Sequence, residues 1–206
     1  MTEQSRPYRM KRREESQLQT RRRITESAVE LHGTLGPSRT SMRAVAAHAG
    51  VRRSTLYRHF PDEAALFDAC TAHWAATNPP PDLVAWSAIA DADERLIAAL
   101  GELYAFYRRT EAMLENLFRD ELTVPIVGER FAAFRAYFAA ARDTLMAGRK
   151  LRGAARRRTQ AALGHAIAFS TWKSFVREEG LSEADTAVLV CALVAAAAGV
   201  PPGQEP

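Results

Sequence analysis

The stretch TSMRAVAAHAGVRRSTLYRHF, Thr40 to Phe60, decides the fold. Met42, Val45, Ala46 and Ala49 recur at i, i+3, i+4 and i+7, which puts them on one helical face, and its small members let a second helix approach closely. Gly50 breaks the pattern where a tight turn favours a residue that accepts positive φ, and Val51 follows as an apolar plug. The second helix, from Arg52 or Arg53 to His59, buries Leu56 and Phe60 and leaves Arg53, Ser54, Thr55, Tyr57 and His59 available outward. That outward set carries hydrogen-bond donors and no carboxylate, which suits the phosphates and base edges of double-stranded DNA. The pair reads as a helix-turn-helix. An ordinary helical hairpin could show the same Ala46, Gly50 and Leu56, so the charge distribution matters.

Residues 1–60 hold 13 Lys and Arg against 5 Asp and Glu, whereas residues 61–206 hold 15 against 19. The net charge of +4 therefore conceals a positive head on a mildly acidic body, the polarity that phosphate attraction favours. A chain of 206 residues and 22.8 kDa can bury a sizeable core, as one domain or as a small domain joined to a larger one. Cys70 and Cys191, both in apolar helical surroundings, read as buried thiols of a reducing compartment. No His/Cys cluster suggests a metal, and no cofactor is expected. MTEQSRPYRMKRR lacks the apolar core of a signal peptide, and Ala187 to Val200 is too short to span a bilayer, so no membrane partner and a cytoplasmic location are expected.

Residues 1–20 read as a basic flexible arm, with Arg6, Arg9, Lys11, Arg12 and Arg13 ahead of any apolar periodicity. Such an arm is either a solvated tail or a minor-groove or phosphate contact. Ile24, Ala28, Leu31 and Leu35 predict a bracing helix from Arg21, ended by Gly36 and Pro37. Thr40 or Ser41 caps the next helix, whose free amides could hold a phosphate. Pro61 and Asp62 open a further helix through Leu66, Phe67, Cys70 and Trp74, and Asn78-Pro79-Pro80-Pro81 separates head from body.

The run ITESAVELHGTLGPSRTSMRAVAAHAGVRRSTLYRHFPDEAALFDA, and AGVRRSTLYRHF within it, resembles the DNA-binding domain of the TetR family of transcriptional regulators over about residues 21–75. The resemblance implies an all-α homodimer with an N-terminal three-helix helix-turn-helix domain, a connecting fourth helix, and a C-terminal helical bundle that binds a small molecule and forms the dimer. The expected domains are 21–75 for DNA and 82–200 for ligand and dimerisation. By position, Arg43 and Arg53 would read bases, Ser54 and Thr55 would sit at the DNA surface, and Thr40, Ser41, Tyr57 and His59 would contact phosphates. Arg52, where the family often has a serine cap, would add a phosphate contact. Glu63 stands where a lysine is common and is not carried over; His32 and Pro37 replace residues that are often aromatic.

In the body, one helix is predicted from an Asp93 cap to Arg109, carrying Leu96, Leu100, Leu103 and Tyr107. A shorter one starts at Thr110 or Glu111 and carries Met113, Leu114, Leu117 and Phe118. Pro125 leads into Phe131, Phe134, Phe138, Ala141 and Leu145. After the basic turn GRKLRG, a long helix is expected from Ala155 to Glu179, with Arg156 to Arg158 exposed or paired. Ser182 and Asp185 then cap the last helix, Glu183 to Ala198. The apolar AVLVCALVAAAA is either buried within the monomer or, as the resemblance implies, paired in a four-helix interface with a second subunit. Candidate pocket residues are Tyr104, Tyr107, Phe118, Phe134, Phe138, His165, Phe169 and Trp172; such residues at helical spacing are more often plain core, and as a pocket they would favour an apolar or aromatic effector.

The expectation is a DNA-binding regulator, a repressor released from a palindromic operator by a small molecule. Two other classes compete with it. One is an architectural DNA binder without an effector. The other is a helical-bundle enzyme, against which stand the absence of any Glu-x-x-His pair and of a convergent base for Cys70 beyond His73.

Overall fold

The computed structural model describes residues 5–199, without the side chains of residues 5, 6, 7 and 9. Residues 1–4 of the expected arm, the side chains of Arg6 and Arg9, and Val200 lie outside the described residues. Every regular element among the described residues is helical. The chain divides into two units, one of Met1–Pro79 with Ala112–Glu129 and one of Pro80–Glu111 with Arg130–Pro206.

The first unit begins with α1 (Ser5–Thr34), a 3-10 turn (Pro37–Arg39), α2 (Met42–His48), α3 (Arg53–His59) and α4 (Glu63–Thr77). Ile24 and Ala28 of α1, Met42, Val45 and Ala46 of α2, Leu56 and Phe60 at α3, and Leu66 and Cys70 of α4 form one buried cluster. The spacing seen in the sequence is the reason: each helix turns one apolar stripe to the same centre. Local side chains start the helices. Ser41 Oγ accepts the Ala44 N–H at 3.2 Å, and Asp62 Oδ1 accepts the Ala65 N–H at 2.7 Å. Gly50 adopts φ 63°, and the next residue's N–H returns to the Ala46 carbonyl at 2.9 Å, closing the turn between α2 and α3.

The arm differs from expectation. From Ser5 onward it is the first half of α1, and all residues from Met10 to Gln19 are exposed.

The end of α1 is held by residues far away in sequence. The carbonyls of His32 and Gly33 accept from Asn116 Nδ2 at 3.1 and 2.8 Å, and the Leu35 carbonyl accepts from Arg119 at 3.1 Å. These are carbonyls a helix end leaves without intrahelical partners. Asp120 accepts the Ser38 N–H at 2.9 Å, and Arg119 bonds both Asn116 and Asp120, so one polar clasp secures the bend before α2. Gly36 lies inside it at φ 94°, and a Cβ there would meet Arg119 Nη2 at 2.0 Å and Asp120 Oδ2 at 2.8 Å. Burial of Asp120 opposes ionisation, but the Arg119 guanidinium and Ser38 outweigh it and hold the carboxyl below its usual range.

The second unit contains α5 (Leu83–Ser87) and parts of α6 (Ala92–Asp120) and α7 (Pro125–Met146), with α8 (Gly153–Ala166), α9 (Phe169–Lys173), a π turn (Ser174–Glu178) and α10 (Glu183–Gly199). Two expectations fail here for physical reasons. Thr110 does not begin a helix. Its hydroxyl donates back to the Phe106 carbonyl at 2.7 Å, so α6 runs unbroken from Ala92 to Asp120, and its cap is Asp91, whose Oδ1 accepts the N–H groups of Asp93 and Glu94. The helix expected from Ala155 to Glu179 is interrupted at Ile167 and Ala168, and its last turns wind as the π turn. Ser182 and Asp185 do cap α10, with the Asp185 N–H on Ser182 Oγ at 3.0 Å. Of the three arginines opening α8, Arg156 and Arg157 are exposed, while Arg158 donates to the Ala197 carbonyl near the end of α10 at 3.2 Å. Arg95, only 4% exposed, donates to the carbonyls of Ile89, Ala90, Thr144 and Ala147, tying α6 to the end of α7.

Buried His32 packs against Phe67 at 5.4 Å between ring centroids. Burial lowers its pKa from 6.5 to about 4, against an opposing pull from Asp120. Between these values the unfolded chain binds a proton at this position that the folded chain does not. Stability should therefore fall as pH drops from 6.5 towards 4, with a slope from this group of up to about 1.4 kcal/mol per pH unit. Urea denaturation across that range should show a shallower dependence for His32→Leu than for the parent chain; equal slopes would refute the assignment.

Candidate functional site

α3 is only seven residues long, and its orientation follows from Leu56 and the following Phe60, both 0% exposed. With those turned inward, Arg53, Ser54, Tyr57 and Arg58 are exposed, and Thr55 and His59 are half-buried. Arg52 precedes the helix, exposed, and makes no side-chain cap bond. The Arg53 guanidinium lies 5.9 Å from the Tyr57 ring centroid, so the two side chains share one face. Around the start of α2, Ser41 and Arg43 are exposed, whereas Thr40 is half-buried and its hydroxyl donates to the Gly36 carbonyl at 2.8 Å. Between Glu30 and Asp62 the chain carries no carboxylate. The surface is thus a set of cationic and hydroxyl donors on a short rod, the chemistry that meets phosphate oxygens and guanine edges.

Five arginines of this head were given no role from the sequence, Arg21, Arg22, Arg23, Arg39 and Arg58. Arg39 and Arg58 are simply exposed. Arg21 is structural: it donates to the His59 carbonyl at 2.6 Å and lies 4.1 Å from the Phe60 ring centroid, placing a cation at the C-terminal end of α3. The contact spans 38 residues, so no local pattern announces it. His59 Nε2 is covered and makes no hydrogen bond among the described residues, and desolvation, Arg58 and Arg21 all lower its pKa. The imidazole is therefore held towards its neutral form.

In the second unit the aromatic residues gather around Tyr107. Its ring centroid lies 6.4 Å from Phe138, 5.4 Å from Phe169 and 5.9 Å from Trp172, and Phe134 is 4.7 Å from Phe138. Tyr104, Tyr107 and Trp172 are fully buried. The break between α8 and α9 explains the tyrosines' role. The carbonyls of Ala166 and Ile167, freed where the helix is interrupted, accept the hydroxyls of Tyr104, at 3.4 Å, and Tyr107. Burial raises both phenol pKa values, so each remains a donor.

Two proposed pocket residues are solvent-exposed. Phe118 belongs to the first unit and is 39% exposed; His165 is exposed on α8. Three others were missed: Phe106 and Tyr137, which touch the same rings, and Thr171 beside Trp172. Trp172 Nε1 and Thr171 Oγ1 are buried donors without a hydrogen-bond partner among the described residues. The Arg177 guanidinium lies 4.9 Å from the Trp172 ring and grips both oxygens of Glu111 at 2.8 to 3.1 Å.

Residues 24–70 match the family model described as bacterial regulatory proteins, tetR family. No curated protein matches the chain. Solved structures share its fold. A putative TetR-family transcriptional regulator from Mesorhizobium loti is 18% identical with a TM-score of 0.59, covering 88% of this chain and 96% of that one. The SmeT–triclosan complex is 21% identical with a TM-score of 0.56, covering 91% and 98%. FadR of Thermus thermophilus, described as a TetR-family transcriptional repressor in complex with lauroyl-CoA, is 20% identical with a TM-score of 0.55, covering 90% and 98%.

Tyr107→Phe should leave the Ile167 carbonyl buried without its donor while keeping the ring. A loss of about 1–3 kcal/mol is expected in equilibrium denaturation. A change within about 0.3 kcal/mol, the scatter of unrelated sites, would show that this bond does not support the helix break.

Proposed function

Because its N-terminal domain makes this chain a member of the tetR family of bacterial regulatory proteins, we propose that it is a ligand-responsive transcriptional regulator, a repressor released from a palindromic operator by a small apolar or aromatic molecule. The observation that carries this reading is the outward face of α3, where Arg53, Ser54, Tyr57 and Arg58 are exposed over a core that fixes their direction. Arg53 and Arg43 are assigned to base edges, since a guanidinium can make two bonds to guanine O6 and N7. Ser41, Arg52 and Tyr57 are assigned to phosphates, with Thr40, Ser54, Thr55 and His59 at the rim of the same surface.

A second copy of the chain supplies the other half-site. On α10, Thr186, Val190 and Val194 face inward, while Val188 is 73% and Leu193 51% exposed on other parts of the helix surface. Exposed Ala161 of α8 offers a small residue on which these apolar side chains of a second copy can close, giving a four-helix interface about a two-fold axis. The two α3 helices would then enter successive major grooves, about 34–36 Å apart.

The effector is assigned to the aromatic group around Tyr107. Structural relatives hold triclosan in one case and lauroyl-CoA in another. The unpaired donors Trp172 Nε1 and Thr171 Oγ1 offer an acceptor oxygen on such a molecule two partners. Helix α6 carries Tyr104 and Tyr107 and, further along, the Asn116, Arg119 and Asp120 that hold the end of α1. A ligand that favours one position of α6 can thereby bias the heads, by no more than its difference in affinity for the two states. No described helix is long and apolar enough to cross a membrane, and we place the protein in the cytoplasm with its DNA.

Binding to a duplex selected by the protein from a randomised pool, compared with random duplex, tests this reading. Arg53→Ala should lower the ratio of the two affinities, whereas Tyr57→Phe should weaken both about equally. Equal affinity of the parent chain for both duplexes would favour a non-specific architectural binder instead.

A further inference from the structure

The first half of α1 is an exposed helix that the DNA-binding core does not need. From Met10 to Gln19 no residue is even half-buried, so this segment contributes nothing to the cluster of Ile24, Ala28, Leu56 and Phe60. A helix that is polar all round and unpacked is marginal in water and gains most when something lies against it.

Its direction is set by two contacts within the same unit. At the C-terminal end of α1, His32 and Gly33 are held by Asn116; near its middle, Arg21 bonds the final carbonyl of α3. Going backwards from Arg21, the helix therefore leaves the core beside the C-terminal end of α3 and runs on past it. Arg13 stands about 12 Å further along the axis, at 1.5 Å per residue.

Its rotation is set as well. Ile24 turns into the buried cluster that includes Leu56 and Phe60. At 100° per residue, Gln17 and Arg13 fall within about 20° of the direction of Ile24, while Lys11 and Glu15 fall about 140° and 180° away. The stripe that packs on the helix-turn-helix thus continues beyond it as Gln17 and Arg13, on the side of the cluster that holds Leu56 and Phe60, while Glu15 faces away and Glu14 lies about 80° round on the flank. Arg12 sits between, its guanidinium 5.8 Å from the ring centroid of Tyr8.

We propose that the Arg13–Gln17 face of this helical extension docks on the DNA backbone flanking each half-site, with Arg13 gripping a phosphate outside the base pairs read by α3. The proposal rests on the DNA-binding reading above and adds a surface to it. The occupant follows from charge: the segment presents Arg13 on the side of the buried cluster, with Glu15 opposite and Glu14 on the flank, and it extends a head in which Arg outnumbers Asp and Glu.

The test uses the full chain with the selected duplex in two lengths, one with ten flanking base pairs on each side and one trimmed at the half-site edges. Trimming should weaken the parent chain several-fold and the Arg13→Gln variant little. On the long duplex, Arg13→Gln should reduce the slope of log affinity against log salt by about 1 for each protomer bound. Lys11→Gln, which removes the same charge from the opposite side, should change both quantities much less. Equal effects of the two substitutions would mean diffuse attraction and would overturn the docked face, as would insensitivity of the parent chain to trimming. Arg53→Ala, measured in parallel, separates the two levels. If it relaxes discrimination while Arg13→Gln does nothing, only the flanking contact is wrong; if it leaves discrimination intact, the assignment of α3 itself fails.

Discussion

A seven-residue helix does not hold itself together in water, because the few hydrogen bonds it gains barely offset the dihedrals it must fix. α3 exists because Leu56 and Phe60 are withdrawn completely from solvent by α1, α2 and α4. Everything proposed for the head depends on that constraint. With those two side chains inward, the intervening donors have no direction left but out, and their spacing on the rod is set by helix geometry alone. Arg21 closes the same end, adding a cation to the last carbonyl.

The remaining structure is largely an answer to one problem, where the carbonyls of interrupted helices find donors. α1 stops at Thr34, and Asn116 and Arg119 take up the carbonyls behind it. α8 stops at Ala166, and two tyrosines take up the next pair. The loop ahead of α6 and the end of α7 share Arg95. In each case a polar side chain from α6 does the work, which makes that helix the common partner of elements in both units. The same logic leaves Trp172 Nε1 and Thr171 Oγ1 conspicuous, since buried donors are ordinarily paired.

Local chemistry was legible where cause and effect lie within a turn of each other. Ser41, Asp62 and Ser182 cap the helices their positions indicate, Pro125 opens α7, and Gly50 takes the positive φ its place in the turn requires. Thr110 misled because a threonine hydroxyl serves equally to cap a helix or to bond back within one, and only the continuity of the chain on both sides selects the second. The arm misled for a related reason. Basic, polar residues without an apolar stripe carry no periodic signal, yet they extend a helix already nucleated downstream at little cost.

The order of residues by itself determined an all-helical chain, the helix-turn-helix of Thr40 to Phe60 and the separation of a basic head from an acidic body, because apolar period, capping and charge are properties of neighbours along the chain. Only the tertiary structure decided that Asn116, Arg119 and Asp120 clasp a bend some 80 residues away, that Phe118 and His165 are exposed, and that Phe106 and Tyr137 join the aromatic group. Those contacts join positions whose separation in sequence bears no relation to their distance in space. They follow from which helix end needs a donor and which face is left uncovered once the helices have packed.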